Sequence, residues 1–168
     1  EQTHARTTAI TLTLPFFDDF STNKGRLPDK DRWMPSGGVL ISNTHSTTQP
    51  TVNTAVFDGL NANGVPYSYE NIQIPVGADT LTSLPIDLSK VAPADSLYLS
   101  FYYQAGGLIE QPDESDTLVC QFLQSNGQWK SVWRQIGGVT STDFTQILVG
   151  LKERTYFHVG FQFRFISY

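Results

Sequence analysis

The sequence predicts an all-β fold, an antiparallel β-sandwich of jelly-roll type in a single domain, and three observations carry that expectation. Short runs rich in Val, Ile, Thr, Tyr, Phe and Trp recur along the 168 residues, each bounded by Gly, Pro, Asn, Asp or Ser. Where apolar residues alternate they do so with period two, and no stretch keeps a helical period. The length suits one core that buries roughly two-thirds of the unfolded chain's surface, and neither an internal repeat nor a linker divides it.

Taken in order, residues 1–8 are polar and read as a flexible tail. Residues 8–14 place Ile10, Leu12 and Leu14 between threonines, the pattern of a half-buried strand that Pro15 ends. Phe16, Phe17 and Phe20 flank Asp18 and Asp19, a polar loop follows, and Trp33 is expected to fold back onto the core. Gly37-Gly38 turns into a short strand at residues 39–42, and residues 52–57 form another. Residues 58–64 are dense in Asp, Asn and Gly, and the chain through Pro66, Tyr67, Tyr69 and Pro75 has no helical period. Residues 80–88 give one or two strands broken at Pro85, and residues 89–94 have room for a single helical turn.

Residues 95–136 hold three strand-like runs that read as a meander: Leu97 to Tyr103, Thr117 to Leu123, and Trp129 to Trp133. Residues 144–151 form a further strand. Residues 156–166 alternate throughout, with Phe157, Val159, Phe161, Phe163 and Phe165 on one face and Tyr156, His158, Gly160, Gln162 and Arg164 on the other. The total comes to nine or ten short strands.

Composition narrows the function classes. Charged residues make up only 16% of the chain, against about a quarter in an average domain, so Ser, Thr, Asn and Gln supply much of the polarity. A net charge of -5 and a pI near 5.0 give no clustered basic face for nucleic acid. No apolar run is long enough to span a membrane as a helix. Cys120, the single cysteine, has no internal disulfide partner and sits in a strand-like run as a small buried hydrophobe. His4, His45 and His158 lack metal-ligand spacing, and neither a nucleophile elbow nor a phosphate-binding glycine loop occurs.

Three candidate sites remain. Glu114 and Asp116 stand two apart, as a glycosidase carboxylate pair would on one strand, but Val119 occupies the position of a further acid and the pair falls at a loop end. Asp18 and Asp19, and separately Asp58 with Asn61 and Asn63, offer oxygens to a hard cation such as calcium; at each the competing reading is a capped turn. Finally, Tyr98, Tyr102 and Gln104 on one strand and Tyr156, His158, Gln162 and Arg164 on another set aromatic rings beside planar polar groups. If the two strands share a sheet, they form a face for stacking a sugar or gripping a peptide; the competing reading is an ordinary solvent face.

The motifs Leu84-Pro85-Ile86-Asp87-Leu88-Ser89, Leu97 to Tyr103, Ser115-Asp116-Thr117-Leu118-Val119 and Trp129-Lys130-Ser131-Val132-Trp133 resemble, in this order, MAM-type and concanavalin/laminin-G-like jelly rolls. More narrowly, Leu14 to Ser21, Asp31-Arg32-Trp33, Ala55 to Gly64 and Gly160 to Phe165 resemble the N-terminal domain of surface proteins in gliding bacteria that export cargo by type IX secretion. The resemblance implies a secreted or cell-surface, non-enzymatic module for adhesion or assembly. Its partner would be a protein, the remainder of a longer parent chain, or a glycan. The resemblance also implies a structural cation at Asp18 and Asp19, although Ser21 stands where relatives carry an acid. The closing strand of such folds, expected after Tyr168, is missing and would leave an open sheet edge. The alternatives are a concanavalin-like glycan-processing enzyme and a purely structural subunit of a surface complex.

Overall fold

The computed structural model describes residues 10–61, 63–67, 77–108, 111–139 and 143–168. The tail at residues 1–8, His4, Tyr69 and Pro75 lie outside them. Eight strands are present among the described residues: β1 (Leu40–Ser42), β2 (Thr54–Val56), β3 (Thr80–Thr82), β4 (Tyr98–Tyr103), β5 (Thr117–Leu123), β6 (Trp129–Ile136), β7 (Thr145–Gly150) and β8 (Phe163–Ser167). Two 3₁₀ turns, Pro93–Asp95 and Arg154–Tyr156, are the helical elements, the first beside the expected single turn. Among the described residues no helix is long and apolar enough to cross a membrane.

Every pairing between these strands is antiparallel. One sheet has the order β3-β8-β5-β6, while β4 with β7 and β1 with β2 form two-stranded sheets. The β4–β7 pair packs across the four-stranded sheet. Phe101 of β4 meets Phe165 of β8 edge-on at 4.7 Å between ring centroids and Trp133 of β6 at 5.1 Å. Aromatic pairs prefer this T-shaped contact because the ring edge is positive and the face negative. The fold is an all-β sandwich, as the alternation predicts.

Core and surface follow the pleat. In β5, Cys120 and Phe122 are wholly buried, and Phe122 packs edge-on against Tyr156 and Phe161. In β8, Phe163 and Phe165 point inward. Burying one such side chain stabilises the fold by about 1.5–3 kcal/mol. Trp33 joins this core from the loop region, stacking on Phe20 and meeting Phe16 and Phe163 edge-on.

Three sequence expectations are corrected. Residues 8–14 make no strand among the described residues; Leu12 forms a single parallel bridge to Ile86, its N–H donating to the Pro85 carbonyl and its carbonyl accepting from the Asp87 N–H. The three runs of residues 95–136 are not one meander. β5 and β6 are neighbours, but β4 lies in the opposite layer against β7, because residues 104–116 are a long crossover rather than a hairpin turn. The long alternation of residues 156–166 breaks into the 3₁₀ turn, a bridge at Phe161 and β8. That break resets the phase: Tyr156 is 2% exposed where an outward residue was expected, and Val159 is 56% exposed where an inward one was. The Tyr156 ring is drawn in by Phe122 and Phe161.

Candidate functional site around strand β4

The predicted binding face divides between two layers. In β4, Leu97, Leu99, Phe101 and Tyr103 turn toward the core, so Tyr98, Ser100 and Tyr102 turn out. Tyr98 and Tyr102 are 54% and 53% exposed. Across the ladder they face Gly150 and Gln146, and between them Ser100 faces Leu148, itself largely exposed. Gln146 Nε2 donates to Ser100 Oγ at 3.0 Å. Two tyrosine rings and a leucine thus stand on one outward strip.

The other proposed members of that face are elsewhere. Arg164 lies on the outer side of the four-stranded sheet, its guanidinium 4.2 Å from the centre of the Trp129 ring and its Nε donating to Gln121 Oε1 at 2.8 Å. Gln162 donates to the Ser83 carbonyl at 2.6 Å. His158 donates from Nε2 to the Leu123 carbonyl and accepts the Gly160 N–H at Nδ1, so both ring nitrogens are occupied within the chain. Gln104 binds the Thr47 carbonyl at 2.9 Å and ties the segment after β4 to the loop after β1. Tyr156 is core. Of the seven residues, Tyr98 and Tyr102 are brought together in the open; the other five are used to hold the fold.

The acidic motifs serve turns. Asp18 Oδ1 accepts the Phe20 N–H at 2.8 Å, and Oδ2 accepts the Trp33 indole N–H at 2.7 Å. Asp19 Oδ1 accepts both the N–H and the hydroxyl of Ser21, which hold its carboxyl below the usual aspartate range. Calcium takes roughly six to eight oxygens, so this pair by itself is not a coordination shell. Among the described residues no group of three or more His, Cys, Asp or Glu side chains gathers to hold a metal. Asp58 and Asn61 likewise turn their side-chain oxygens to the N–H groups of Leu60, Asn63 and Val65. Asp116 Oδ2 accepts the Asp113 N–H, closing the turn before β5.

Sequence reasoning missed Asp79, which is fully buried. Its Oδ2 accepts the Gly59 N–H at 2.8 Å and its Oδ1 the Tyr67 hydroxyl at 3.2 Å, while its backbone pairs with Ser167. Gly38, with φ of +89°, leaves room for this carboxylate, since a Cβ there would come within 2.3 Å of Oδ1. A single acid just ahead of a strand gives no pattern that would single it out.

Beside β4 lies an open cleft of about 1330 Å³, with the half-buried Phe57, Leu99 and Phe101 on its apolar floor and with Phe16, Phe20 and β2 along its wall; Leu81, Ile86, Phe163 and Phe165, which also border it, are buried. Asp18, Asp19, Asp58, Asp113 and Asp116 stand along it, and among the described residues no Lys or Arg does. The arrangement suits holding a partly apolar ligand of opposite charge. Comparison with protein-family models, with curated proteins and with solved structures finds no match for the chain.

Proposed function

We propose that the protein is a non-enzymatic interaction module of the cell surface or extracellular space, binding a protein or glycan through strand β4. The exposed Tyr98/Tyr102 strip is the observation that carries this reading, because these rings remain open while the other polar side chains of the expected face are spent inside the fold. Tyrosine suits such a surface: it offers a flat apolar area and a hydroxyl at little conformational cost. The low charge and the hydroxyl- and amide-rich composition support an extracellular setting. The motif order supports a jelly roll of the kind used by gliding bacteria with type IX secretion.

The test is binding of the purified protein to a glycan array and to cell-surface extracts, beside Tyr98→Ala and Tyr102→Ala. Each substitution removes an exposed ring and is expected to leave the fold intact while reducing binding about tenfold, the loss of a well-placed aromatic contact. Binding unchanged in both variants would remove the strip as the site.

A further inference from the structure

The edge of β4 that faces away from β7 is a hydrogen-bonding row that no described backbone group occupies. Leu151 N–H donates to the Leu97 carbonyl, and the ladder register pairs Leu99 with Val149 and Phe101 with Ile147. In an antiparallel ladder the hydrogen-bonded pairs alternate, so Leu97, Leu99, Phe101 and Tyr103 bond toward β7 while the N–H and C=O groups of Tyr98, Ser100 and Tyr102 point the other way. Among the described residues those groups meet no backbone partner. The cleft touches β4 from Tyr98 to Tyr103 and no residue of β7, so it runs along this free edge. On its far wall, β2 likewise has an edge with no backbone partner among the described residues: the Ile41 N–H donates to the Arg26 carbonyl, so the Ile41–Ala55 pair is a non-bonded one and the Ala55 backbone groups point away from β1.

Sheet edges are ordinarily blunted by charge, proline or a bulge. The edge strand β6 obeys this rule with Lys130, Arg134 and an irregular register against β5. Strand β4, Tyr-Leu-Ser-Phe-Tyr-Tyr, has none of these devices. The five aspartates along the cleft form no ion pair among the described residues; the ion pairs there are Arg32–Asp29 and Lys130–Glu153.

We propose that the cleft receives an extended, cationic peptide segment of a partner protein, which adds to β4 as a strand through the backbone groups of Tyr98, Ser100 and Tyr102. The inference rests on the reading of the protein as an interaction module and names the partner's chemistry. Side chains at every second position of the added strand would reach the apolar floor, and Lys or Arg at its ends would meet the aspartates. Main-chain bonds then give affinity and the floor and rim give selectivity, as in strand addition generally.

The test uses a short peptide of alternating Val and Thr with Lys at both ends, the same core with Glu at both ends, and the Lys peptide N-methylated at alternate residues. The Lys peptide is expected to bind and to slow amide exchange at Tyr98, Ser100 and Tyr102. The Glu peptide should bind at least about tenfold more weakly at low salt, the worth of one or two interfacial charge pairs, and N-methylation in the bonding register should abolish binding. Ser100→Pro deletes one edge N–H and the side-chain bond from Gln146 but no backbone bond to β7, so binding is lost while cooperative thermal unfolding is retained. Should that variant not fold, the N-methylated peptide carries the same test.

Equal binding of Lys and Glu peptides, or binding without protection of the three amides, overturns the proposal. So does protection of those amides in the absence of peptide through self-association, which would make a second copy the occupant. If peptide fails while the Tyr98- and Tyr102-dependent glycan or surface binding persists, strand addition is refuted and the module reading stands; loss of both refutes the two together.

Discussion

Asp79 is the residue whose chemistry is least like that of its neighbours. Burial pushes its carboxyl above the ordinary 3.8, the Asp58 charge adds to this, and the Gly59 N–H and Tyr67 hydroxyl pull against it. The folded chain therefore holds the proton at a pH where the unfolded chain has released it. Its contribution to stability is most favourable below 3.8 and declines as pH rises through the folded-state value. Asp79→Asn keeps an acceptor for Gly59 without the charge, so its stability relative to the parent should improve as pH is raised from about 3 to about 7, read as the urea midpoint at each pH. Asp79→Ala leaves two donors without a partner and should cost about 1–3 kcal/mol near pH 3, and less as pH rises and the parent's buried carboxyl becomes a burden. Cys120, wholly buried and with its thiol pushed far up by burial, should react with a thiol reagent only at the rate of unfolding. The buried cysteine was legible in the sequence because its neighbours Val119 and Phe122 mark a core strand. Asp79 was not, because its partners come from segments far away along the chain.

At the level of elements, the strand runs were legible and their partners were not. β5 and β6 read as a hairpin because Ser125-Asn126-Gly127 is a tight turn, and the structure closes it with the Gln124 and Gln128 backbones bonded across. β4 read as their neighbour only because it precedes them; the length of residues 104–116 was the available signal that it crosses layers. Its alternation was nonetheless correct, and it fixed which rings face out. The error in residues 156–166 has a different origin: a 3₁₀ turn consumes residues without advancing the pleat, so a perfect period-two pattern can span a break in phase. Phe101 is the test of the cross-layer contact. Phe101→Ala should cost about 3–5 kcal/mol, measured by chemical denaturation, because it removes a ring held between Phe165 and Trp133.

For the whole molecule, the candidate face was conditional on its two strands sharing a sheet, and they lie on the two outer sides of the sandwich, with Tyr98 and Tyr102 on one and Arg164 on the other. Side-chain alternation specifies in or out but not which layer, and the layer depends on long-range pairing that no local pattern encodes. The tryptophans report on both parts of the interior: Trp33 sits against Phe163, and Trp133 against Phe101 and Tyr103. Because both packings converge on β8, intrinsic fluorescence and far-ultraviolet circular dichroism should trace coincident unfolding curves.

That convergence has a temporal side. β8 is not an outer strand but lies between β3 and β5, bonded to both. A chain emerging N-terminus first therefore presents β3, and later β5, with no central strand to join them. The four-stranded sheet closes only when Phe163–Ser167 has left the ribosome. Until then β3 and the β5–β6 pair have no common neighbour, so closure of the sheet waits on its longest-range pairings.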